Sequence, residues 1–314
     1  MPVQAEGVFM KKVFSVILLL ALLPILVSCN RGTQGRKFAA SFMTLNNPFW
    51  VAEVATLKEL ARENGDRITV YDAQLDQTRQ ISQIEDAIQS GIDLIFISPY
   101  DMKGIRPALE AAQQAGIPVV NIDTSVFDQE LVETEVISDN FLAGVQAGEN
   151  LVEALAGSGD IGIINLSVNV VVQERVRGFL SVIEQYPDIQ VVADLDGNGS
   201  VEAALPLMEA MLESNPEIKG VFGINDPTSL GAIAALESAG RTDVAVVSVD
   251  GAKDAIHAIQ EGQMLGTAAQ FPSRIASESM KQAYKILNGE SVEHTVVVPV
   301  EWIHKGNVES YTPY

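Results

Sequence analysis

The sequence predicts an α/β protein built from two doubly wound, parallel-sheet domains. From Lys37 onward, short apolar runs rich in β-branched residues alternate with amphipathic runs, which is the pattern of parallel sheets covered by helices on both faces. These runs supply about a dozen strands, more than one ordinary sheet holds. The length of 314 residues also suits two domains better than one. No low-complexity linker divides the chain, so we expect it to cross between the domains by short strands.

Each element follows from its local pattern, and strands and helices alternate along the chain. Runs of β-branched and other apolar residues predict strands at 38–45, 68–71, 94–97, 117–122, 161–166, 191–195, 221–224, 244–249, 265–269 and 295–300. Apolar residues that recur every three or four positions predict helices at 51–63, 81–88, 102–114, 140–156, 173–185, 201–213, 228–238, 252–261 and 273–288. Ser90-Gly91 and Gly116 end the second and third of these helices.

Residues 1–28 have the character of a signal peptide. Lys11-Lys12 precede an apolar run, 13–27, that is short for a membrane span. Leu26-Val27-Ser28-Cys29 resembles the bacterial lipobox, which implies that Cys29 is lipidated and becomes the first mature residue, with 29–36 as a flexible tether. The alternative is an ordinary signal with an incidental cysteine. Because Cys29 is the only cysteine, disulfides and cysteine-based metal sites are excluded.

Charge and motifs narrow the classes of function. A formal net charge of −21 argues against binding to nucleic acid or to anionic lipid, because both need basic patches. None of the three histidines has a local partner for nucleophilic attack, and no phosphate-cradling or Gly-x-Ser-x-Gly loop occurs. Asp194-Leu-Asp196-Gly-Asn198-Gly199 matches the start of a calcium loop, but its twelfth position is Leu205 instead of Glu. We therefore expect no enzyme, no metal site and no cofactor.

Polar and aromatic residues gather where the predicted strands end. They are Asn47, Phe49, Trp50, Ser98, Asp123, Arg175, Asn198, Asn225, Asp226, Asp250 and Gln270. In open α/β sheets this edge binds ligands. Amides, carboxylates and a guanidinium can pair with adjacent hydroxyls, while aromatic rings stack on the C–H face of a sugar. Singly, each polar residue could equally be a helix cap or a turn residue, but the complete set indicates a carbohydrate site.

The segment between the first strand and the first helix has the clearest local signal. Asn47 is suited to cap the helix, and Pro48 is suited to its first position. Phe49 and Trp50 are then held at a helix N-terminus just past a strand end. The alternative is that both rings belong to the core.

Several segments together carry a resemblance to a known family. The most specific are Thr44-Leu-Asn-Asn-Pro-Phe-Trp50, Val119-Val-Asn-Ile-Asp123, Glu174-Arg-Val-Arg-Gly-Phe179, Val221-Phe-Gly-Ile-Asn-Asp226 and Val249-Asp-Gly251. The chain resembles the type I periplasmic sugar-binding proteins of ABC transporters, most closely the ribose-binding branch, from Lys37 to about Val300. The resemblance implies two lobes joined by three crossovers near Ser138, Gln270 and Val298, with a ligand cleft between them. It assigns 37–137 plus 271–298 to the N-terminal lobe, and 138–270 plus 299–314 to the C-terminal lobe.

The resemblance also implies roles for individual residues. Ligand-binding positions match Asn47, Phe49, Trp50, Asp123, Arg175, Asn225, Asp250 and Gln270, and further contacts are expected at Met43, Ser98, Thr124 and Asn198. Three positions depart from the family pattern. Thr124 stands where the family has Arg, Met43 stands where it has Ser, and a cleft Phe falls near Asn198 or Gly199. We therefore expect a thinner wall on the second lobe and a sugar or polyol ligand that need not be ribose.

The function implied by the resemblance is solute capture outside the cytoplasm. A monomeric lipoprotein, held on a membrane through Cys29, would close on a pentose, hexose or polyol and deliver it to an ABC permease. The alternative is a sensory receptor that presents a bound sugar or furanose to a membrane kinase or chemoreceptor. Sugar-responsive transcription repressors share this fold, but they would need a helix-turn-helix where the signal peptide stands.

Overall fold

The structure, a computed structural model, describes residues 35–167 and 169–314. The predicted signal peptide, the lipidation site Cys29 and residues 29–34 of the predicted tether lie outside the described residues. Arg36, at the end of that tether, is held by the folded part of the chain, since its backbone N–H donates to Asp66 Oδ1 at 2.7 Å and its guanidinium donates to Asn288 Oδ1 at 2.6 Å. Of the helices in the described part of the chain, none has both the length and the apolar character needed to cross a bilayer.

The strands of the described residues alternate with helices, as the sequence predicts. The strands are β1 (Lys37–Phe42), β2 (Arg67–Asp72), β3 (Leu94–Ser98), β4 (Val119–Ile122), β5 (Thr134–Ser138), β6 (Gly159–Asn165), β7 (Ile189–Asp196), β8 (Gly220–Gly223), β9 (Ala245–Asp250), β10 (Gly266–Ala269), β11 (Thr295–Val298) and β12 (Glu301–His304). The helices are α1 (Pro48–Glu63), α2 (Gln77–Gln89), α3 (Arg106–Gln114), α4 (Asn140–Ala154), α5 (Val170–Ile183), α6 (Val201–Ser214), α7 (Asp226–Ser238), α8 (Lys253–Glu261) and α9 (Pro272–Leu287).

These strands form two six-stranded sheets, each the centre of one lobe. The first sheet has the order β11-β5-β4-β3-β1-β2, and the second has the order β12-β10-β9-β8-β6-β7. Every described pairing is parallel except that of β12 with β10, which is antiparallel. The predicted architecture of two doubly wound, parallel-sheet lobes is thus confirmed, with one antiparallel edge strand added.

Both faces of each sheet are buried. In β1, Phe38 and Phe42 pack in one hydrophobic cluster and Ala39 packs in another on the opposite face. In β3, Phe96 belongs to the first cluster and Ile95 to the second. Side chains alternate between the faces of a strand, so helices on both sides explain why the strands read as continuous apolar runs.

The chain crosses between the lobes three times. After β5 it enters α4, which packs on β9 and β10 of the second sheet, and after β10 it enters α9, which packs on α1, β4 and β5 of the first. After β11 it passes through Pro299 to β12 in the second sheet. All three crossovers begin at the carboxyl ends of parallel strands, which are β5, β10 and β11.

Some element boundaries differ from the predicted ones. The predicted strand 295–300 ends at Val298, because Pro299 has no N–H for a ladder and the chain then changes sheets to form β12. The predicted helix 102–114 begins only at Arg106, since the Asp101 carboxylate accepts from the N–H groups of Lys103 and Gly104, both at 2.9 Å, and holds a turn. Strand β5 was not predicted at all. Its first two residues, Thr134 and Glu135, are buried but polar, so the sequence shows no apolar run there.

Candidate functional site

Helix α1 begins in the way the sequence predicts. The backbone of Asn47 is extended, and its side-chain Oδ1 accepts from the Phe49 N–H at 2.9 Å. Pro48 is the first helical residue. Capping leaves the aromatic pair at the carboxyl end of β1. The two rings then diverge: Phe49 is buried in the first-lobe cluster, and Trp50 is half-buried.

The first-lobe part of the site is centred on Asp123. This residue follows β4 with φ of 62° and is only 8% exposed. The Trp50 indole N–H and the Thr124 hydroxyl both donate to its Oδ2 at 3.0 Å. Burial raises the pKa of Asp123, while these two hydrogen bonds and the charge of Arg175 act in the opposite direction. The pKa of Asp123 on the first lobe is thus affected by the Arg175 guanidinium on the second lobe.

The second-lobe part is centred on Arg175, a buried residue of α5. Its Nη1 donates to Asp250 Oδ1 at 3.3 Å and to the Ile224 carbonyl at 2.9 Å, and its Nε donates to Asn140 Oδ1 at 2.7 Å. Gln270 Nε2 donates to the same Asp250 oxygen at 2.7 Å. A guanidinium in a fixed plane can bind a hydroxyl or hydroxyl pair without paying much further side-chain entropy.

Asp226 supports this cluster through hydrogen bonds to neighbouring protein groups and is not placed to contact a ligand. Its Oδ2 accepts from the N–H groups of Gly251 and Ala252 at 2.8 and 2.7 Å, and its Oδ1 accepts from the Thr267 hydroxyl at 2.8 Å. Burial and the nearby charge of Asp250 raise the pKa of Asp226 to about 7. These bonds fix the turn that follows β9, and Asp250, the last residue of that strand, has φ of 135°. Such a backbone is strained for a residue with a Cβ and is typical of functional sites.

Buried polar atoms without partners point to where a ligand could bind. Within residues 35–167 and 169–314, Gln270 Oε1 and Ser98 Oγ are buried and have no hydrogen-bond partner. Since buried polar groups are almost always satisfied, a ligand hydroxyl is a natural partner for Gln270 Oε1. Ser98 is fully buried at the end of β3.

The other predicted residues have local roles in the structure. Asn225 caps α7 and its Nδ2 donates to the Gly199 carbonyl at 3.1 Å, which ties two second-lobe loops together. Asn198 is exposed, and Met43 is buried at the end of the first strand. The structure therefore brings Trp50 together with Asp123 and Thr124, and Arg175 with Asp250 and Gln270. Asn47, Asn198 and Met43 contact none of these through a hydrogen bond among the described residues.

Three residues of the site region were not predicted from the sequence. Asn140 binds the Arg175 guanidinium. Glu53 lies one helical turn after Phe49, is completely buried, and has no hydrogen-bond partner for either carboxylate oxygen within the described part of the chain. Tyr314 packs edge-on against Phe49, with ring centroids 5.6 Å apart. Of these three, only Glu53 could have been found from the sequence, because it is an acidic residue on the same apolar helix face as Phe49 and Leu57. Asn140 and Tyr314 lie near Arg175 and Phe49 only through the tertiary fold.

Two other features do not belong to this site. A groove of about 500 Å³ beside the first crossover includes Asn140 in its lining, but it is lined largely by apolar side chains such as Phe127 and Phe141 and by none of the residues predicted to bind ligand. In the calcium-like loop, Asp194 accepts from Asn165 and Asp196 accepts from Ser167. No group of three or more potential metal-binding residues occurs in the described residues.

Comparisons with known proteins agree with this geometry. The family model described as periplasmic binding protein domain matches residues 38–291. The ribose import binding protein of Bacillus subtilis is 34% identical over 308 residues, covering 93% of this chain and 98% of that protein. The ABC transporter solute binding protein from Mycobacterium smegmatis with bound glycerol is 33% identical, with a TM-score of 0.83, and covers 88% of this chain and 96% of its own.

A second solved structure extends the range of ligands among the relatives. The ABC transporter solute binding protein from Bacillus halodurans with bound myo-inositol is 29% identical, with a TM-score of 0.83 over 89% of this chain and 98% of that one. Two sheets of this order, three crossovers and a match over most of the chain lead to one conclusion. This chain belongs to the periplasmic binding protein family.

Proposed function

We propose that this protein is the solute-binding protein of an ABC importer, and that it captures a small sugar or polyol between its lobes and delivers it to a membrane permease. The observation that carries the proposal is the hydrogen-bonded cluster of Arg175, Asp250 and Gln270 on one lobe. On the other lobe, Trp50 and Thr124 hold the buried Asp123 carboxylate, whose pKa the charge of Arg175 lowers. Relatives named for ribose import and solved with polyols support it.

The cleft has the chemistry that hydroxyl groups require. Carboxylates at Asp123 and Asp250 accept hydrogen bonds, the Arg175 guanidinium donates them, and the amide oxygen of Gln270 has no partner among the described residues. Contacts made from both lobes are complete only when the lobes are close together. A ligand therefore stabilises the closed form by its differential affinity for that form, and the permease recognises the closed form.

The assignment of ligand contacts is part of this proposal. We assign direct contacts to Asn47, Phe49, Trp50, Asp123, Arg175, Asn225, Asp250 and Gln270. Thr124 stands where the family resemblance implies an Arg, so that charge is missing, and the Thr124 hydroxyl donates to Asp123. Charged hydrogen bonds contribute about 1.5–3 kcal/mol each, so we propose a sugar or polyol ligand that need not be ribose.

Further parts of the proposal concern the placing of the molecule. We assign 37–137 plus 271–298 to one lobe and 138–270 plus 299–314 to the other. Outside the cytoplasm, a lipid on Cys29 would hold a monomer on a membrane, within reach of its permease. The protein would bind its ligand without chemical change.

Mass spectrometry of the mature protein from cells tests the anchor, because a diacylated Cys29 peptide is expected and an unmodified one contradicts it.

The ligand and its site are tested together by thermal-shift and calorimetric measurements. The panel comprises ribose, other pentoses, hexoses, glycerol, xylitol and myo-inositol, and at least one member should raise the melting temperature. Arg175→Ala and Asp250→Ala should abolish that rise. Arg177→Ala is the matched control, because Arg177 lies two residues from Arg175 and its side chain is 66% exposed, pairs with Glu174 and lies over the Phe141 ring. No rise with any member contradicts the function, and a rise that survives both cleft variants contradicts the site.

A further inference from the structure

The segment 311–314 leaves the second lobe beside the cleft. It follows a short 3₁₀ turn, Val308–Ser310, in which Val308 is buried in the second-lobe core. The Tyr311 hydroxyl donates to the Gly251 carbonyl at 3.1 Å, and its side chain packs against the second-lobe core. Its ring also meets Phe271 of the first lobe edge-on, with centroids 6.2 Å apart. The segment is therefore fixed at the turn that carries Asp250.

Tyr314 then reaches the first lobe. Its ring lies 5.6 Å from that of Phe49, at an interplanar angle of 85°, and it packs against the hydrophobic cluster that contains Phe49. This edge-to-face arrangement is one that aromatic pairs prefer. Because Tyr311 is held by the second lobe and Phe49 belongs to the first, Tyr314 connects the two sides of the cleft.

The electrostatic surroundings of Tyr314 belong to the cleft. Burial raises the pKa of its hydroxyl, and the charges of Asp250 and Asp226 raise it further, while the charge of Arg175 lowers it. The ring is thus packed on Phe49 and lies near the carboxylates and guanidinium of the second lobe. Of these groups, Asp250 and Arg175 are proposed above to bind hydroxyls, and Asp226 supports the turn beside them.

We infer that Tyr314 is an aromatic wall of the ligand cleft and a determinant of which ligand the cleft accepts. The inference rests on the proposed carbohydrate site. The sequence leaves the second lobe without a ring at Asn198 and Gly199, and Asn198 is exposed. Tyr314 supplies an aromatic face from a different part of that lobe. A ring in this position stacks on the C–H face of a sugar or polyol and limits the size of ligand that fits.

Substitutions of Tyr314 in the full chain test the inference by calorimetry with the tightest-binding member of the panel. Tyr314→Ala should weaken binding about tenfold, since an aromatic contact is lost. Tyr314→Phe keeps the ring and should bind within about twofold of the unchanged protein. Tyr314→Leu keeps an apolar contact with Phe49 but has no ring, so it serves if the alanine variant does not fold. Tyr186→Ala, in the turn between α5 and β7, is the matched control and should bind normally.

The outcomes separate the inference from the proposed function. If the folded Tyr314→Ala or Tyr314→Leu protein binds as tightly as the unchanged protein, or more tightly, Tyr314 is not a ligand-binding wall. Tighter binding would show instead that the ligand displaces the ring. Larger panel members should lose less affinity than smaller ones in Tyr314→Ala, and the reverse order contradicts the role in selectivity. If the unchanged protein binds no panel member, the proposed function itself fails, and the inference fails with it.

Discussion

At the scale of single residues, Asp123 and Glu53 are two buried acids near the cleft with very different partners. Asp123 accepts hydrogen bonds from Trp50 and Thr124. Glu53 is completely buried and, within the described part of the chain, neither of its oxygens has a partner. Burial first and the charge of Asp123 second raise the pKa of Glu53 well above its ordinary value of 4.5. A carboxyl in this environment favours its neutral form.

Glu53→Gln should therefore change how stability depends on pH. Since folding raises the pKa of Glu53, the folded state holds this proton more tightly than the unfolded state does. The free energy of unfolding of the unchanged protein should fall as the pH rises above 4.5, and this contribution to the fall should disappear in Glu53→Gln. Urea denaturation at several pH values between about 4 and 8 measures the difference.

The control for that series is Glu63→Gln, an exposed glutamate on the same helix. It should follow the pH profile of the unchanged protein. Parallel profiles for Glu53→Gln and the unchanged protein would show that Glu53 does not titrate in an altered environment.

Trp50→Phe should weaken ligand binding while keeping an aromatic ring at the site. The lost indole N–H leaves the Asp123 carboxylate with one donor fewer and a less fixed orientation. A hydrogen bond to a charged group contributes about 1.5 kcal/mol or more, so Kd should rise about tenfold. Calorimetry with Trp302→Phe as control tests this, because the Trp302 indole N–H is buried on β12 without a partner among the described residues. Equal affinities in the two variants would contradict the role of the Trp50 N–H.

The sequence predicts those contacts of this site that join neighbouring residues. The contacts that it does not predict join residues far apart in the chain. The cap at Asn47 was predictable because its bond to the Phe49 N–H joins neighbours in the sequence. The bond between Asn140 and Arg175 joins residues 35 positions apart, and the Phe49–Tyr314 contact joins the two lobes. No pattern within either segment reports such a contact. The assigned ligand contacts stay a prediction until a ligand is bound.

At the scale of elements, the pairing of α4 with α5 determines the position of Arg175. The two helices touch backbone to backbone at glycines. A Cβ on Gly144 would lie 1.9 Å from the Arg175 carbonyl, and one on Gly178 would lie 2.0 Å from the Phe141 carbonyl. This close approach lets Asn140 at the start of α4 reach the guanidinium on α5.

Gly178→Ala should push α5 away from α4 and affect both stability and binding. Overpacking of this kind costs about 1–3 kcal/mol, and the displaced Arg175 should bind ligand more weakly. Gly148→Ala is a graded control in the same interface, because its added carbon would meet its neighbours at 3.1 Å and needs only a small adjustment. Urea denaturation and calorimetry measure both effects. A larger loss of stability in Gly148→Ala than in Gly178→Ala would contradict the order of contacts.

Element prediction succeeded where pattern and burial coincide. β1 is buried from Phe38 onward and β3 is buried throughout, and their buried residues are apolar except for Ser41 and Ser98, so their runs were visible in the sequence. β5 was missed because Glu135 is buried in it, with its carboxylate bound to Ser125 and Thr295. Because its partner Thr295 lies 160 positions away, Glu135 resembles an exposed loop residue in the sequence.

At the scale of the whole molecule, the proposed mechanism requires the two lobes to move. A saturating ligand should lower the radius of gyration in small-angle X-ray scattering, because contacts from both lobes favour the closed form. Arg175→Ala should show little ligand-dependent change, and Arg177→Ala should behave like the unchanged protein. A radius of gyration that does not respond to a ligand bound with measurable affinity would contradict capture by closure.

The two-lobe architecture was predictable from the number of strands, whereas the sharing of the chain between sheets came from the family resemblance. Periodicity alone does not reveal that α9 returns to the first sheet after β10, because its apolar face would suit either lobe. The position of Pro299 between β11 and β12 is the one local mark of a crossover.

These crossovers also set an order of events during biosynthesis. β11 pairs with β5, and β12 pairs with β10, so the first sheet lacks an edge strand until residue 298 has been translated and the second until residue 304. The first lobe, although encoded mostly by the 5′ part of its gene, cannot finish folding before nearly all of the second lobe has left the ribosome. A nascent chain of this topology therefore stays incomplete in both lobes for most of its synthesis.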